Sequence, residues 1–347
     1  MVIPDDDPAG DWTAPGVYRC APDVYRIPLP LPQDGLRAVN VYAIADGAGF
    51  TLVDSGWVLQ QSRDLLVAAL ERLGAGLGDV RRFLVTHSHR DHYTLAVTLR
   101  REFGSRILLG EGEKPGLEQM NAPGESERPQ QLPRLLRAGA DDLVRRLSAM
   151  QRPEFDVSDW ELPDEWITDG AVINVGEGDA LRELTAIATP GHTAGHVVFA
   201  DESADLLFAG DHVLPRITPS IALEPLPPPN PLADFLTSLE LVRSRPDAAL
   251  LPAHGPIGMR VHERVDALLA HHADRLDASL AAAREGRSTA TEVAGALRWT
   301  RRGYALADLD PFNEMLAILE TMAHLDVLVE RGALTVRHDG GVAHYTI

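Results

Sequence analysis

The sequence predicts an α/β protein, with β-sheets covered by helices, followed by a smaller α+β domain at the C-terminus. Short apolar β-like runs alternate with helical patterns over residues 24–110, and strand patterns return over 172–251. After Arg260 the sequence changes to long Ala- and Leu-rich helical segments that end in a hairpin pattern. The 347 residues, 45% hydrophobic and 24% charged, are enough for a main domain and a smaller one.

The first third of the chain predicts an arm followed by alternating strands and helices. Residues 1–20 are rich in Asp, Pro and Gly and predict an N-terminal arm, either ordered or fraying. Turn signals and β-type composition predict strands at Val24–Leu29, Ala38–Ala45, Phe50–Val53, Arg82–Thr86 and Ile107–Leu109. Apolar residues at helical spacing predict helices at Leu59–Leu73, which stops at Gly74, and at Asp91–Phe103.

Residues 111–165 interrupt this alternation. The stretch Glu111–Pro133 is polar and rich in Gly, Pro and Glu, whereas Leu135–Met150 predicts a helix. We interpret the interval as a partly helical lid that helps to choose the substrate, with Trp160 and Trp166 as candidate substrate-binding residues. A solvent-facing insertion without a role is the alternative.

The second half returns to the strand pattern. Strands are predicted at Val172–Val175, Leu181–Ala188, His196–Ala200, Leu206–Ala209 and Ala248–Leu251, with a helix at Leu232–Val242. Seven prolines between Pro215 and Pro231 exclude a helix or an inner strand there. We expect this segment to form a stiff wall of a pocket.

Charge and cysteine content restrict the partners. The formal net charge is −19 and Lys114 is the only lysine, so a polyanion such as RNA or DNA is disfavoured without a local basic patch, and no basic run is evident. The single cysteine, Cys20, cannot form an intramolecular disulfide, and the acidic N-terminus lacks the features of a signal peptide. No apolar run approaches the length of a bilayer span. The sequence therefore favours a cytoplasmic protein that acts on small molecules.

The segment Leu84–His92 carries the strongest chemical signal. Three imidazoles and a carboxylate, from His87, His89, Asp91 and His92, lie within six residues directly after an apolar strand. Imidazole and carboxylate are ligands of transition metals. His87 and His89 are two apart at the end of a strand, so their side chains point to the same side. Asp91 and His92 fall where a helix should begin and can approach from another direction. The spacing therefore suits two neighbouring metal ions better than one.

Three later motifs supply further donors at the ends of apolar runs. They contain His192 in Thr189-Pro190-Gly191-His192, Asp211 in Phe208-Ala209-Gly210-Asp211, and His254 in Leu251-Pro252-Ala253-His254. With these motifs, residues 20–258 resemble the metallo-β-lactamase superfamily, whose pattern is HxHxDH, a distant His, an Asp and a last His. Asp54 in Leu52-Val53-Asp54-Ser55-Gly56 matches the structural first motif of that family. The resemblance implies an αββα sandwich with a helical insertion, spanning residues 21–260.

The resemblance also implies two metal sites and a hydrolytic mechanism. It assigns seven ligands, arranged as a first site of His87, His89 and His192 and a second site of Asp91, His92 and His254, with Asp211 bridging them. Two divalent ions that share a water lower its pKa enough to supply hydroxide, which attacks a polarised carbonyl. Asp91 and Asp211 are the expected catalytic residues, Asp91 by orienting the nucleophile or carrying its proton. Zinc is the favoured metal, and a donor set without thiolate also accepts iron or manganese.

Other residues near these motifs are candidates for substrate binding or for support of the ligands. His196 is expected behind the metal ligands, together with Asp54. His212 and Tyr93 are expected either to reach the substrate or to pack. The family commonly has a Gly shortly after the HxHxDH motif, whereas Tyr93-Thr94-Leu95-Ala96 follows it here. Arg216 offers a bidentate fork for a carboxylate or phosphate of the substrate. The remaining six histidines are predicted to be surface or packing residues: His262, His271, His272, His324, His338 and His344.

Residues 261–347 predict a winged-helix-like domain. Helices are expected at Val261–Glu285, from Ser288 or Thr289, and at Phe312–Glu330, with a hairpin around Asp339-Gly340-Gly341. Superfamily members similar to the lactamase-like endoribonuclease group carry such a module after the last His. Residues 262–347 hold nine Arg against thirteen Asp or Glu, a net charge of −4, which disfavours DNA binding. Packing on the catalytic domain, lining the pocket or forming a homodimer contact is favoured.

Three functions follow from these observations. The favoured one is a metal-dependent hydrolase of a small acyl compound, a thioester or an ester, which agrees with the acidic surface and the predicted lid. An endoribonuclease-like phosphodiesterase agrees with the domain order but not with the charge. The third function is a non-enzymatic metal or ligand sensor. The full ligand set argues against it, because a sensor would not need open catalytic positions. Fold alone does not choose among substrates.

Overall fold

The computed structural model describes residues 3–32, 35–122, 131–150, 156–221, 223–224 and 226–347. The two residues after Pro32, part of the polar stretch Glu111–Pro133 and parts of the Pro-rich segment lie outside the described residues. Within them the architecture is the predicted α/β one, with two sheets packed face to face and helices on both outer surfaces.

The first sheet is mixed and contains the strand that leads into the metal motif. Its strands, in spatial and chain order, are β1 (Tyr18–Ala21), β2 (Val24–Pro30), β3 (Ala38–Asp46), β4 (Gly49–Val53), β5 (Val80–Val85), β6 (Arg106–Gly110) and β7 (Glu165–Ile167). The pairs from β1 to β4 are antiparallel, and those from β4 to β7 are parallel. The parallel strands β4 and β5 therefore end at the same edge, where Asp54 and the motif around His87 meet.

The second sheet has the order β12-β11-β10-β9-β8. Its strands are β8 (Val172–Val175), β9 (Arg182–Ala188), β10 (Val197–Asp201), β11 (Leu206–Gly210) and β12 (Ala249–Pro252). The pair β11–β12 is parallel and the other pairs are antiparallel. Asp211 follows β11 directly and His254 lies just after β12, so the parallel pairing brings these two donors to the same edge.

The core between the sheets is formed by side chains that alternate along the strands. Tyr42 and Leu84 of the first sheet share this core with Phe199 and Phe208 of the second. The rings of Tyr42 and Phe208 meet edge to face, with centroids 5.5 Å apart, a favoured aromatic geometry. Because strands alternate, the other face of each sheet is also apolar and is covered by helices.

The helices form the two outer layers of the αββα arrangement. The helices are α1 (Gln60–Arg72), α2 (Arg90–Phe103), α3 (Lys114–Met120), α4 (Gln131–Arg137), α5 (Asp141–Ala149), α6 (Pro231–Ser244), α7 (Val261–Arg284), α8 (Ala290–Ala296) and α9 (Pro311–Glu330). Helices α1 and α2 pack on the first sheet, while α6, α7 and α9 cover the second. Helix α7 has 24 residues, but charged side chains lie between its apolar ones. None of the described helices combines the length and the apolar character needed to cross a membrane.

The insertion departs from the predicted single helix at Leu135–Met150. The chain breaks at Gly139, which has φ +78°, and forms the two helices α4 and α5. A left-handed residue ends a helix, and glycine adopts that conformation without a Cβ clash. Arg146 of α5 binds both carboxylate oxygens of Glu314 in α9, at 2.8 and 2.7 Å. The described α4–α5 part of the insertion is therefore fastened to the C-terminal helices.

The N-terminal segment is ordered by a buried ion pair. Arg26 and Asp6 are both 2% exposed in their side chains, and Arg26 Nε donates to Asp6 Oδ2 at 2.5 Å. Arg26 Nη1 also donates to the carbonyl of Trp12, at 2.7 Å, and to Asn40 Oδ1, at 2.9 Å. These bonds hold residues 6–12 against the first sheet, which agrees with the ordered alternative.

Residues 261–347 contain the predicted three helices and a hairpin, β13 (Thr335–Asp339) paired with β14 (Val342–Thr346). The apolar side chains of α7 and α9 belong to the same buried cluster as Phe235 of α6 and Leu207 of β11. The C-terminal part therefore shares a core with the second sheet. The winged-helix assignment itself stays a prediction.

Candidate metal centre

The HxHxDH motif lies at the junction of β5 and α2. His87 and His89 follow the end of β5, and α2 begins at Arg90 with His89 in the N-cap position. Asp91 and His92 are therefore in the first helical turn. His87 and His92 are fully buried and Asp91 is 9% exposed. The strand end and the helix start direct the four side chains from two sides into one space.

Three ring nitrogens meet in the first cluster. His192 Nε2 lies 3.2 Å from His87 Nε2 and 3.1 Å from His89 Nδ1. A neutral imidazole has one donor and one acceptor nitrogen, so three imidazole nitrogens at this separation do not satisfy one another. Their convergence is typical of ligands directed at a common cation.

The second cluster joins carboxylates to two further imidazoles. His254 Nε2 lies 3.4 Å from Asp91 Oδ2 and 3.3 Å from Asp211 Oδ1. His92 Nε2 lies 3.6 Å from Asp91 Oδ2 and 3.7 Å from Asp211 Oδ1. The other carboxylate oxygen of Asp211, Oδ2, lies 3.4 Å from His192 Nε2 in the first cluster. Asp211 therefore stands between the clusters with one oxygen facing each.

Hydrogen bonds behind the rings fix which nitrogen faces the centre. His192 Nδ1 bonds the carbonyl of Ser220 and His254 Nδ1 that of Ala38, both at 2.7 Å, so each Nδ1 carries the proton. His92 Nδ1 bonds Asp54 Oδ2 at 2.9 Å. A donated Nδ1–H leaves a lone pair on Nε2, the atom that binds a metal.

The donor set fits divalent cations. Nε2 of His92, Nε2 of His254 and Oδ1 of Asp211 are buried and have no hydrogen-bond partner among the described residues. Buried polar atoms without partners are costly and are retained where another ligand satisfies them. Four imidazoles around a shared carboxylate, with a fifth imidazole and a second carboxylate, match the ligand preferences of zinc, iron or manganese.

Charges in the centre are arranged to attract cations. Burial lowers the pKa of His89 to about 3, helped by the neighbouring His192. Burial opposes ionisation of Asp211, but the charges of His254 and His92 outweigh it and hold the pKa of that carboxyl well below its usual range. Burial also opposes a charged His92, and the carboxylates of Asp54, Asp91 and Asp211 overcome it and raise the pKa of His92 to about 10.

Asp54 supports the motif from the preceding strand end. Its backbone has φ +61°, a left-handed conformation that is uncommon for a residue with a Cβ. Its carboxylate accepts the backbone N–H of Thr86 at 2.8 Å as well as the His92 ring. The strained conformation therefore directs one carboxylate to both ends of the metal motif.

His196 supports the centre from the second sheet. Its Nδ1 lies 2.8 Å from Thr189 Oγ1, and its Nε2 accepts the backbone N–H of Asp211 at 3.1 Å. A Cβ on Gly210 would lie 2.6 Å from this Nε2, so the close approach requires glycine there. The ring thus fixes the backbone that carries Asp211.

The structure favours packing for two of the substrate-binding candidates. Tyr93 is fully buried and its hydroxyl donates to the carbonyl of Glu161 at 2.5 Å, so it is not available to a substrate. The ring faces the apolar layer between the first sheet and its helices because it lies on the inner side of α2. His212 is also fully buried, between His196 and Phe235 of α6, and burial lowers its pKa to about 3.

The two tryptophans and Arg216 lie in different surroundings. Trp160 is half-buried and its Nε1 donates at 2.9 Å to the carbonyl of Ser88, inside the metal motif. Trp166 lies on the edge strand β7 and packs with the apolar side chains of the first sheet. Arg216 is exposed on the loop after Asp211. Of these, Trp160 and Arg216 belong to segments that touch the metal-ligand loops.

Glu113 is a supporting residue that the sequence pattern did not identify. It is 3% exposed, and its two carboxylate oxygens accept the hydroxyls of Ser88 and Thr193. Ser88 separates His87 from His89, and Thr193 follows His192. One carboxylate therefore joins the two loops that carry the first cluster. Its segment looked like a polar insertion, and only the fold brings it here.

A separate group lies in the C-terminal helices. Single donor atoms of His272, Glu320 and His324 lie within 4.8 Å of one another. His272 Nδ1 lies 3.1 Å from His324 Nε2, and His324 Nδ1 bonds the Glu320 carbonyl at 2.7 Å. The charge of nearby Arg275 acts on all three side chains. A histidine pair hydrogen-bonded beside a cation agrees with the packing role predicted for His272 and His324.

Comparison with known proteins agrees with this geometry. The family model described as the metallo-beta-lactamase superfamily matches residues 34–254. The chain is 24% identical over 267 residues to an atrochrysone carboxyl ACP thioesterase of Aspergillus fumigatus, covering 76% of this chain but only 48% of that protein. It is 23% identical over 327 residues to the probable metallo-hydrolase YqjP of Bacillus subtilis, covering 93% and 97% of the two chains.

A solved structure extends the similarity to the whole chain. A beta-lactamase domain protein from Burkholderia ambifaria superposes with a TM-score of 0.78 at 27% identity, covering 99% of this chain and 97% of that one. The similarity therefore includes the C-terminal helices as well as the sheets. The matched residues include every donor of the two clusters. The chain belongs to the metallo-beta-lactamase superfamily.

Proposed function

We propose that the protein is a metal-dependent hydrolase of a small acyl thioester, with an ester as the nearest alternative. The convergence of two donor clusters on a shared Asp211 carries the hydrolase part of this proposal. The thioester part is supported by the Aspergillus fumigatus relative, which is named a thioesterase. The chain spans about half of that relative's length, so the substrate of the whole relative is not transferred directly.

We assign the two clusters as two metal sites. His87, His89 and His192 would hold one ion, and Asp91, His92 and His254 the other, with Asp211 contributing one oxygen to each. When bound, divalent ions supply a water of lowered pKa and a Lewis acid for the substrate carbonyl. Zinc is the proposed metal, and iron and manganese are the alternatives that metal analysis of the purified protein would distinguish.

The chain's own carboxylates and loops would organise the reaction. Asp91 lies at the rim of the centre, 12% exposed in its side chain, and nearby His92 and His254 keep its pKa below the usual value despite burial. An ionised Asp91 oxygen is suited to accept a hydrogen bond from the attacking water and to receive its proton. Glu113, Asp54 and His196 would hold the ligand loops in place, so little reorganisation is needed during reaction.

The test is thiol release from a panel of acyl thioesters by purified, zinc-loaded protein. Asp211→Ala should abolish release, whereas Asp142→Ala, an exposed aspartate on α5, should not change it. The panel includes matched esters, a lactone and a phosphodiester. Turnover of the phosphodiester without thioester turnover would refute the thioester proposal and favour the nuclease alternative. Absence of bound metal from the purified and the metal-loaded protein would refute the hydrolase proposal itself.

A further inference from the structure

The loop between Asp211 and Ser220 connects the metal centre to the surface. It starts at Asp211, and the carbonyl of Ser220 accepts a hydrogen bond from His192. Pro215 packs beside Gly255, since a Cβ there would lie 2.6 Å from Pro215 Cγ. Both ends of the loop are thus fixed at metal-ligand segments. Its middle, at Arg216, is exposed.

Two further arginines from distant segments bind the backbone of this loop. Arg264, in the first turns of α7, donates from Nε to the Leu214 carbonyl at 2.5 Å and from Nη2 to the Ile217 carbonyl at 2.7 Å. Arg301 Nη2 donates to the carbonyl of Arg216 at 2.5 Å. We call the three side chains of Arg216, Arg264 and Arg301 the arginine rim. Two more exposed arginines, Arg298 and Arg302, flank Arg301 in the chain.

The arginine rim is a local excess of positive charge in an acidic protein. The chain has 51 Asp and Glu against 32 Lys and Arg, yet none of the three guanidiniums forms an ion pair with a carboxylate of the described residues. Arginines elsewhere are commonly paired, as Arg243 is with Asp266 at 2.7 Å. Burial, together with the charge of Arg301, lowers the pKa of Arg264. Two guanidiniums held at the backbone that carries a third, exposed arginine, without counter-charges among the described residues, indicate a site for an anion.

The turn that carries Arg301 is held in place. The guanidinium of Arg275 lies over the Trp299 ring, 4.2 Å from its centroid, and its Nη1 donates to the Arg298 carbonyl at 3.1 Å. Trp299 and Tyr304 pair across the turn by two backbone hydrogen bonds of 2.9 and 2.8 Å. Because the backbone that carries Arg301 is fixed, less freedom is lost when an anion binds there, which favours affinity.

We propose that the arginine rim binds the phosphates of a coenzyme A thioester while its acyl end reaches the metal centre. This inference rests on the proposed thioesterase function and names its substrate class. Arg216 is five residues from Asp211, so their backbones lie at most about 18 Å apart. Guanidinium pairs bidentately with phosphate, and coenzyme A carries several phosphates on a long flexible arm.

The charge distribution favours a small polyphosphate over a macromolecule. An acidic carrier protein or a nucleic acid would approach over a wide area and meet the field of a chain with net charge −19. A compact ligand within about 8 Å of the guanidiniums experiences mainly their positive charge, because salt screens the more distant acidic side chains. The exposed tip of a loop fixed at the metal centre suits such a ligand.

The experiment compares an acyl-coenzyme A with the pantetheine thioester of the same acyl group, which lacks the phosphates. The wild-type kcat/KM should be higher for the coenzyme A substrate. Arg216→Ala and Arg301→Ala should each reduce the ratio of the two kcat/KM values by about tenfold, mainly through KM, as expected for one charge-assisted hydrogen bond. Arg216→Lys should retain part of the preference. Arg337→Ala, an exposed arginine in the hairpin, is the matched control.

A binding measurement separates failure of this inference from failure of the proposed function. Calorimetric titration with free coenzyme A should show binding that weakens in the Arg216→Ala, Arg301→Ala double variant, even if no thioester is hydrolysed. An unchanged kcat/KM ratio in the variants, or equal losses on both substrates, would overturn the inference while leaving the hydrolase intact. Displacement of coenzyme A by a single-stranded RNA that binds more tightly would also overturn it, in favour of a nucleic-acid partner.

Discussion

The metal centre and the arginine rim differ in burial, charge and support. The centre is buried, its rings are hydrogen-bonded from behind, and its carboxylates attract cations. The rim is cationic, with Arg216 and Arg301 exposed, and the guanidiniums of Arg264 and Arg301 bond backbone carbonyls of the 214–217 loop. One region is built to hold reacting atoms in fixed geometry, and the other to attract an anion at short range.

This difference implies that chemistry and recognition are separable. The loop from Asp211 to Ser220 belongs to both regions, but its ends contact metal ligands and its middle contacts the rim. Changes in the centre should therefore affect every substrate, whereas changes in the rim should affect only substrates that carry phosphate. The predictions below test this separation, beginning with the largest expected effect.

Removal of Asp211 should abolish activity towards every substrate. In Asp211→Ala both clusters lose their shared carboxylate, and the imidazoles of His92 and His254 lose a nearby negative charge. We expect turnover at the background rate and fewer than two metal ions per chain, measured by thiol release and elemental analysis. A variant that hydrolyses the pantetheine thioester at the wild-type rate would contradict the role of the centre.

Removal of Glu113 should weaken metal binding by about 10–100-fold, the usual cost of losing a residue that orients metal ligands. In Glu113→Ala the hydroxyls of Ser88 and Thr193 lose their common acceptor, so the His87–His89 and His192 loops are no longer joined. Glu113→Gln should have a smaller effect because the hydroxyls can rotate to accept from its amide. Competitive titration with a chelator measures the affinity.

The matched control for this prediction is Glu111→Ala, since Glu111 is exposed in the same turn. Equal metal affinities for the Glu113 and Glu111 variants would show that the buried carboxylate does not hold the loops.

Ionic strength should affect the two regions differently. Raising the salt concentration from about 0.05 to 0.5 M shortens the Debye length several-fold and should raise KM for an acyl-coenzyme A, by a few-fold. The KM of the pantetheine thioester should change little because the buried donors of the centre are screened less. Steady-state kinetics at several salt concentrations measure both. Parallel increases for the two thioesters would indicate a general salt effect on the protein.

The smallest expected effect concerns the helix that precedes the rim's turn. Thr289 caps α8 by accepting the N–H of Glu292, whose carboxylate accepts the N–H groups of Ser288 and Thr289. Thr289→Ala should lower the free energy of unfolding by about 1 kcal/mol. Because α8 packs in the core cluster shared with the second sheet, denaturation should stay a single transition. Thr335→Ala in the exposed hairpin is the control, and a separate early transition would mean that residues 261–347 unfold independently.

One local difference from the sequence predictions, and one alternative that they left open, have identifiable physical causes. The pattern at Leu135–Met150 suits one helix, but Gly139 lies where α4 and α5 turn to contact α9, and tertiary packing outweighs helix propensity. For Tyr93, which follows His92 directly, the sequence left substrate contact and packing both open. One residue further along a helix rotates the side chain by about 100°, which directs Tyr93 into the core.

The residues by themselves determined an alternation of strands and helices and a metal-binding motif, because these signals are local, and the resemblance to the metallo-β-lactamase superfamily implied the αββα sandwich and the full ligand set. Strands and helices follow from short apolar patterns, and the donors of the two clusters follow apolar runs, with a Gly or Pro beside His192, Asp211 and His254. Only the tertiary structure decided the support by Glu113 and the assembly of the arginine rim. Arg216, Arg264 and Arg301 are separated by tens of residues among many acidic ones, so net charge and local runs conceal them. Charges act through space, and their proximity exists only after the chain has folded.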